Sequence, residues 1–219
     1  MKRQQRIPLC PEVDPKRFFL EKPNRSAGFS LIELMMVVLI LALLSVLVWK
    51  AIGGNAGKSK LVSCQQNLQK IHISLQIYAN DSVNRYPIVP TALSSEQALS
   101  PLVPKYSADT SIFICPAVDD APAPNNDPLS KQHISYAYYM GRAPGDAQTV
   151  LMSDAQVNAL SKTPGQQIFS STGKAPGNNH KKAGGNFLFC DGHADSTISG
   201  ASFSLVLTQG VVLLNPSPK

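Results

Sequence analysis

Residues 28–49 read G-F-S-L-I-E-L-M-M-V-V-L-I-L-A-L-L-S-V-L-V-W, an apolar run that a single carboxylate, Glu33, interrupts. As a helix, residues 29–49 would rise roughly 31 Å, about the thickness of the hydrocarbon core of a bilayer. A charged side chain in hydrocarbon costs about 2.5–3.5 kcal/mol on insertion scales. We therefore expect Glu33 to have a partner or a function.

Basic side chains are concentrated ahead of this run. Residues 1–28 contain seven Lys or Arg against three acidic residues, whereas residues 29–219 contain 13 against 11, so the formal charge of +6 is mostly a property of the first segment. The positive-inside rule predicts a cytoplasmic N-terminus and places the chain after about residue 50 outside the cytoplasm. Residues 29–219 show no basic stripe with interleaved aromatics, and we expect no nucleic-acid partner.

The segment G-F-S-L-I-E at residues 28–33, behind its basic leader, resembles the processing site of type IV prepilins and type II secretion pseudopilins. An ordinary secretory signal has its small-residue cleavage site after the apolar core, whereas here it stands before the core. The resemblance implies that a prepilin peptidase cuts between Gly28 and Phe29, removes residues 1–28, and methylates the amino group of Phe29. It also implies an inner-membrane assembly platform and other pilin or pseudopilin subunits as partners.

Under this interpretation Glu33 becomes the fifth residue of the mature chain. In a filament, the ammonium group of a neighbouring Phe29 would neutralise the carboxylate and fix the axial register of the two subunits, since a buried ion pair sets alignment better than it adds stability. The alternative is that Glu33, four residues into the span, reaches the headgroups of a plain signal anchor.

The chain divides into five predicted segments. Residues 1–28 form the leader, 29–50 a transmembrane and filament-core helix, 51–57 a glycine-rich hinge, 58–80 an amphipathic helix, and 81–219 a globular, strand-rich head with proline-rich loops. In the amphipathic helix, apolar residues recur at spacings of three and four. This stripe consists of Leu61, Cys64, Leu68, Ile71, Leu75 and Tyr78.

The head is predicted to contain a short helix at 96–99 and several short strands. The predicted strands are residues 111–115, 135–140, 149–153, 186–190 and 194–198. Asp191-Gly192 is a hairpin signal between the last two. Residues 203–214 fit a helix or a strand. Since no long helical patterns alternate with the strands, the sequence predicts an antiparallel sheet and an α+β, pilin-like fold with a long N-terminal helix packed on a small sheet.

Residues 179–193 are similar to the C-terminal H-X9-DG motif of a pseudopilin subgroup from planctomycete and verrucomicrobial bacteria. Here ten residues, rather than nine, separate His180 from Asp191, and Gly192 and His193 follow. The interpretation we favour is structural: Asp191 caps backbone amides in a hairpin turn, and His180 is hydrogen-bonded beneath it.

A metal site is the alternative for this region. Imidazole and carboxylate groups are present in Asp154, His180, Asp191, His193 and Asp195. The set Asp191, His193 and Asp195 lacks the dense oxygen ligands that calcium prefers. We expect no metal or cofactor, with structural calcium, which some secretion pseudopilins hold in a C-terminal loop, as the alternative.

Besides Cys10 in the leader, the chain has Cys64, Cys115 and Cys190 in the exported part. An oxidising compartment favours disulfides, and three thiols allow one intramolecular bridge at most. A disulfide among these three is expected, its pairing is left open, and three buried free thiols are the alternative.

Two function classes remain. The first is a structural, non-enzymatic subunit of a type II secretion or type IV pilus-like filament, held in the inner membrane with its head outside the cytoplasm, and then in a periplasmic or surface filament after assembly. The second is a single-pass membrane-anchored enzyme or binding domain that uses a prepilin-like anchor. The sequence lacks G-x-S-x-G and H-E-x-x-H motifs, so it offers no positive case for catalysis.

Overall fold

A computed structural model describes residues 30–53, 56–124, 127–198, 200 and 203–218. For residues 47–53 and 56 it describes the backbone alone. The chain divides into two compact units, Met1–Val48 and Trp49–Lys219. We describe each unit by itself.

Helix α1 (Leu31–Gly53) begins at the predicted apolar run. The carbonyl oxygen of Ser30 accepts hydrogen bonds from the backbone N–H groups of Glu33 (2.9 Å) and Leu34 (3.1 Å), which closes the first helical turn. The helix ends at Gly53 and the next begins at Ala56. The predicted hinge at 51–57 lies partly outside the described residues.

Of the helices in the described part of the chain, none combines the length and the apolarity needed to cross a membrane.

Helix α2 (Ala56–Asp81) covers the predicted amphipathic segment and extends it at both ends. Four residues of the predicted stripe, Cys64, Leu68, Ile71 and Leu75, have no exposed surface, and the two at its ends, Leu61 and Tyr78, are half-buried. Ala79, one turn after Leu75, is also fully buried. The stripe packs against the sheet of the head, so the apolar periodicity of α2 is the sequence signal of a helix–sheet interface.

The sheet has five antiparallel strands in the order β4-β3-β2-β1-β5. The strands are β1 (Tyr136–Met140), β2 (Val150–Asp154), β3 (Gly185–Phe189), β4 (Ala194–Thr197) and β5 (Val212–Leu214). Asp191 and Gly192 lie in the turn between β3 and β4. The predicted α+β architecture with an antiparallel sheet is therefore confirmed.

Both faces of the central strands are covered. In β1, Tyr136 and Tyr138 belong to the core that α2 covers, whereas Ala137 and Tyr139 belong to a second core on the opposite face. Residues from the connections between β2 and β3 and between β4 and β5 complete this second core, among them Phe169. Because successive side chains of a strand point to opposite faces of the sheet, one run of buried residues contributes to two cores.

Two predicted segments differ from the structure. Residues 111–115 do not form a strand, because Thr110–Phe113 form a 3₁₀ helix whose first turn is capped by the Asp109 carboxylate, which accepts from the Ser111 N–H at 3.0 Å. A short apolar run has no periodicity that separates the two structures. Of residues 203–214, only β5 is a regular strand, and Leu205 pairs singly with Lys162. The short helix predicted at 96–99 is present as α3 (Ser95–Leu99).

The C-terminal half of α2 is hydrogen-bonded to the end of β3. The Tyr86 hydroxyl donates to the carbonyl oxygen of Cys190 at 3.2 Å and accepts from the Gln76 amide at 2.7 Å. Nε2 of His72 lies 3.4 Å from the same carbonyl oxygen and 3.1 Å from the Gln76 amide nitrogen. These contacts fix the position of the β3–β4 turn on the helix.

Gly192 allows this close approach. Its φ of +94° favours glycine, and a Cβ atom there would lie 2.7 Å from the His72 ring. Burial lowers the pKa of His72 below its ordinary value, because the charged imidazolium loses hydration at this contact.

We predict that this contact makes the stability of the head dependent on pH. Since the pKa of His72 is lower in the folded chain than in the unfolded chain, the unfolded state binds more protons as the pH falls below about 6.5. The free energy of unfolding should therefore decrease from pH 7.5 towards the folded-state pKa of His72. Urea denaturation across this range should show a steeper loss for the wild type than for His72→Gln. Gln69→Ala, which changes an exposed residue of α2 outside this contact, is the matched control and should retain the wild-type slope. Equal slopes in all three proteins would refute the prediction.

A disulfide joins Cys64 of α2 to Cys115, just after the 3₁₀ helix, with 51 residues of sequence separation. Cys190 is a free, buried thiol. Of the three pairings that the sequence leaves open, the structure therefore has Cys64 with Cys115. Because the bridge closes a long loop in the unfolded chain, it restricts that state strongly.

Removal of the bridge should lower the free energy of unfolding by about 4 kcal/mol, following the loop-length dependence of disulfide stabilisation. The measurement is denaturant unfolding of Cys64→Ser combined with Cys115→Ser, with a metal chelator present. Cys190→Ser is the matched control: it replaces a buried thiol that closes no loop and should cost much less. A double variant no less stable than Cys190→Ser would contradict the assigned stabilisation.

Candidate functional site

The predicted assembly residue, Glu33, lies in the first turn of α1. Its carboxylate stands three positions after Ser30, the first described residue. The predicted processing residues Gly28 and Phe29 lie outside the described residues, so their geometry stays a prediction.

Helix α1 is apolar on every side and exposed. All the large hydrophobic residues from Leu31 to Val46 are at least 43% exposed, and Leu31 itself is 77% exposed. A helix that is hydrophobic all round is normally buried in a large core or a membrane. An apolar surface of this extent marks an interaction site, and Glu33 is the only ionisable group on the helix from Leu31 to Val46.

The C-terminal motif is divided between two places. Asp191 accepts a hydrogen bond from the His193 backbone N–H at 3.0 Å, and the Nδ1 atom of His193 lies 2.6 Å from the same Asp191 oxygen. The backbone hydrogen bond from His193 is the main cause that holds the pKa of Asp191 below its ordinary value. The His193 ring also stacks on Phe189, with centroids 4.1 Å apart. Asp191 therefore caps the turn, as expected.

His180 is not the hydrogen-bonded support of that turn. Its Nε2 atom lies 3.4 Å from Oδ2 of Asp154 and 3.4 Å from Sγ of Cys115. The expectation that His180 lies beneath the Asp191 turn is corrected by these contacts. Ten intervening residues include the whole of β3, and they carry the two ends of the motif to different parts of the head.

The set Asp191, His193 and Asp195 is not assembled as a ligand group. Asp195, on β4, accepts a hydrogen bond from the Ser196 backbone N–H at 2.7 Å. Among the residues that the structure describes, one group of three or more metal-ligating side chains converges, and it consists of Cys64, Cys115, Asp154 and His180. Calcium prefers six to eight oxygen ligands, and this group supplies a different donor set. The calcium alternative stays a prediction.

The converging group, which we call the buried cluster, draws each member from a different element. Cys64 comes from α2, Cys115 follows the 3₁₀ helix, Asp154 ends β2, and His180 precedes β3. Their ligand atoms all lie within 4.8 Å of one another. The first three residues have no exposed surface and His180 is 6% exposed.

Asp154 is held by hydrogen bonds on both oxygens. Oδ1 accepts from the Asn179 side-chain amide at 2.9 Å, and Oδ2 accepts from the Asn186 backbone N–H at 2.7 Å. The Asn179 amide also donates to the Ser135 carbonyl oxygen at 2.7 Å. These contacts satisfy part of the hydrogen-bonding capacity that a buried carboxylate requires.

The buried cluster does not have the geometry of a cysteine–histidine–aspartate relay. Such a relay uses both ring nitrogens of the histidine, one towards the nucleophile and the other towards the carboxylate. Here Nε2 makes both contacts, and the sulfur of Cys115 is already bonded to Cys64.

The sequence places Asp154 and His180 in one set of possible metal ligands and Cys64 and Cys115 in another set of possible disulfide partners, but it gives no sign that the two sets meet. Asp154 follows an apolar strand, which gives no sign of a buried acid, and residues 64 and 180 are far apart in the sequence. The only available signal was the presence of cysteine, histidine and aspartate in one exported domain.

Comparison with known proteins gives a match at the N-terminal end. Residues 23–49 match the family model described as the prokaryotic N-terminal methylation motif, and this range includes Gly28, Phe29 and Glu33. No solved structure matches the chain.

Two curated relatives carry the same name, type II secretion system core protein G. The protein of Pectobacterium carotovorum subsp. carotovorum is 36% identical over 81 residues, which are 37% of this chain and 47% of that protein. The protein of Aeromonas hydrophila is 34% identical over 85 residues, 39% of this chain and 54% of that protein.

The chain thus spans about half the length of the curated relatives that it matches. The C-terminal subgroup resemblance stays a prediction. The chain carries a prokaryotic N-terminal methylation motif of the prepilin type and is similar to type II secretion system core protein G, which confirms the resemblance to type IV prepilins and type II secretion pseudopilins.

Proposed function

We propose that this protein is a structural pilin-like subunit of a type II secretion or type IV pilus-like filament. A prepilin peptidase cuts the chain between Gly28 and Phe29 and methylates Phe29. Helix α1 then packs with the same helix of other subunits. The observation that carries this proposal is the match of residues 23–49 to the N-terminal methylation motif, with Glu33 in register inside it.

The surface of α1 supports an assembly function. Its apolar side chains are exposed in all directions, so burial against other apolar helices would remove a large area from water or lipid contact. Lipid tails are as apolar as these side chains, so subunits that leave the membrane are held together by van der Waals packing of α1 and not by a hydrophobic driving force. Because apolar side chains cover every side of the helix, their packing alone does not select one axial register.

Glu33 sets the axial register of neighbouring α1 helices. A carboxylate in an apolar helix bundle is costly unless a cation neutralises it. The ammonium group created at Phe29 of a neighbouring subunit is such a cation, and it approaches Glu33 at one axial offset only. All other offsets leave the carboxylate buried without a partner.

Before assembly, we place the chain in the inner membrane, with the apolar run 29–49 as the anchor, the basic leader in the cytoplasm and the head outside it. The charge asymmetry of the two flanks supports this orientation. The assembly platform then transfers the anchored subunit into a periplasmic or surface filament.

We assign the head a structural and not an enzymatic role. The similarity to type II secretion system core protein G supports this role. Burial closes the cluster to substrates. One ring nitrogen of His180, Nε2, faces both the sulfur of Cys115 and the carboxylate of Asp154.

The first test concerns processing. When the chain is produced together with a prepilin peptidase, mass spectrometry of the mature protein should show Phe29 as the first residue, with one added methyl group. Gly28→Leu should keep its leader, because the larger side chain blocks the cleavage position. A chain cut after the apolar run, or left whole by an active peptidase, would exclude the proposed maturation.

The second test concerns Glu33. Glu33→Gln should be processed normally but should fail to enter filaments, because the neighbouring ammonium group would be buried without its anion. Breaking a buried ion pair in this way costs about 3–5 kcal/mol. Shearing of cells that produce the filament, followed by quantification of the subunit in the sheared fraction, measures incorporation.

Two matched variants complete this second test. Glu33→Asp keeps the charge and should recover part of the incorporation, and Asp195→Asn removes an exposed carboxylate of the head without effect. Normal incorporation of Glu33→Gln would overturn the assigned role of Glu33, even if the processing test succeeds.

A further inference from the structure

The buried cluster has more ligating capacity than its disulfide uses. Beside the two sulfur atoms, His180 contributes an imidazole nitrogen and Asp154 a carboxylate oxygen, all within 4.8 Å of one another. A disulfide alone needs neither of these groups. Their convergence on the sulfur atoms, in a place without solvent, requires its own explanation.

The donor set is that of a four-coordinate zinc site. Protein zinc is bound by cysteine sulfur, histidine nitrogen and aspartate or glutamate oxygen, almost always in tetrahedral geometry at structural sites. Two thiolates, one imidazole and one carboxylate provide four such donors. Magnesium and calcium prefer oxygen ligands, so the two sulfur atoms select against them.

The position of His180 fits a shared cation better than it fits a hydrogen bond. Nε2 lies 3.4 Å from both the Cys115 sulfur and the Asp154 oxygen, and one nitrogen cannot point a single proton at both partners. A cation between the three groups would be contacted by all of them at once.

The surroundings of Asp154 provide the outer support that metal sites need. Asn179 and the Asn186 backbone N–H bind the two carboxylate oxygens and fix the plane of the group. Outer hydrogen bonds of this kind orient a ligand towards its metal. In the described chain His180 is the only ion-pair partner of Asp154, with no lysine or arginine beside it.

From these observations we infer that the reduced head binds one Zn²⁺ ion through Cys64, Cys115, Asp154 and His180, and that the disulfide and the zinc site are alternative states of the same cluster. On binding, two S–H bonds break, two Zn–S bonds form, and two protons pass to solvent. On oxidation, the disulfide of an oxidant takes two electrons from the two thiolates and is itself reduced to a dithiol. The S–S bond between Cys64 and Cys115 forms, and Zn²⁺ is released. A dithiol reductant reverses the change.

Both states join α2 to the segment after the 3₁₀ helix, and the zinc state joins two further elements. The disulfide connects α2 to the segment after the 3₁₀ helix, and zinc would add the end of β2 and the segment before β3 to that connection. A head that reaches its final compartment before oxidation, or that meets a reductant there, would keep its fold through the metal. This inference does not depend on the proposed filament function.

The test uses the full-length chain in detergent, reduced without oxygen by a phosphine and then freed of the reductant. One Zn²⁺ ion per chain should bind to the reduced protein and essentially none to the oxidised protein, as measured by elemental analysis after gel filtration. Co²⁺ in place of Zn²⁺ should give a sulfur-to-cobalt charge-transfer band and the strong visible bands of tetrahedral coordination.

Variants assign the ligands. Cys64→Ser combined with Cys115→Ser should abolish binding, and His180→Gln should weaken it about tenfold or more while the oxidised chain still forms its disulfide. Asn179→Ala, which changes a positioning residue, should weaken binding about 10- to 100-fold and keep the sulfur-to-cobalt band. Cys190→Ser and His193→Gln change the same residue types outside the cluster and should bind as the wild type does.

Three outcomes would overturn the inference. The first is a reduced, folded wild-type chain, as judged by near-ultraviolet circular dichroism, that holds no more zinc than the double cysteine variant. The second is a cobalt spectrum without sulfur ligation. The third is a reduced chain that unfolds and does not refold when zinc is added; recovery of the fold on zinc addition would support the inference, since structural zinc sites couple binding to folding.

Discussion

Burial of one stripe of α2 is the constraint on which the rest of the head depends. Most helical stability in proteins comes from the packing of an amphipathic face and not from intrinsic helix propensity. The fully buried residues of the stripe lie in the core on one face of the sheet, and the far face of the same strands forms a second core. Cys64 lies on the stripe, so the disulfide reinforces the interface that already holds the helix.

A fully buried carboxylate is the second constraint, and it explains the local order around it. Asp154 needs donors, and it receives them from Asn179 and from the backbone of Asn186, which belong to the segment before β3 and to β3 itself. His180 follows Asn179 directly and is thereby brought to the sulfur atoms. The polar network thus positions the cluster, while the apolar cores provide most of the free energy of folding.

The head and helix α1 differ in whether their apolar side chains are buried or exposed. The head encloses its apolar residues, whereas α1 presents apolar side chains on all sides and one carboxylate in its first turn. Exposed apolar surface of this extent marks an interaction site. The proposed filament function follows from this contrast, since each subunit would exchange one apolar environment for another while the ion pair at Glu33 selects the register.

The sequence by itself determined the features that are local. The apolar run, the motif around Gly28 and Glu33, the stripe of α2, four of the five strands and the Asp191 turn are visible as periodicity or as short patterns. The tertiary structure decided what depends on residues far apart in the chain: the choice of Cys115 as the partner of Cys64 and the separation of His180 from Asp191. The 3₁₀ helix at Thr110–Phe113 in place of a strand is a local feature, which the sequence did not reveal because a short apolar run has no distinguishing periodicity. The physical reason is that periodicity records which face of an element is buried, whereas the identity of the atoms buried against that face is set only when the elements pack.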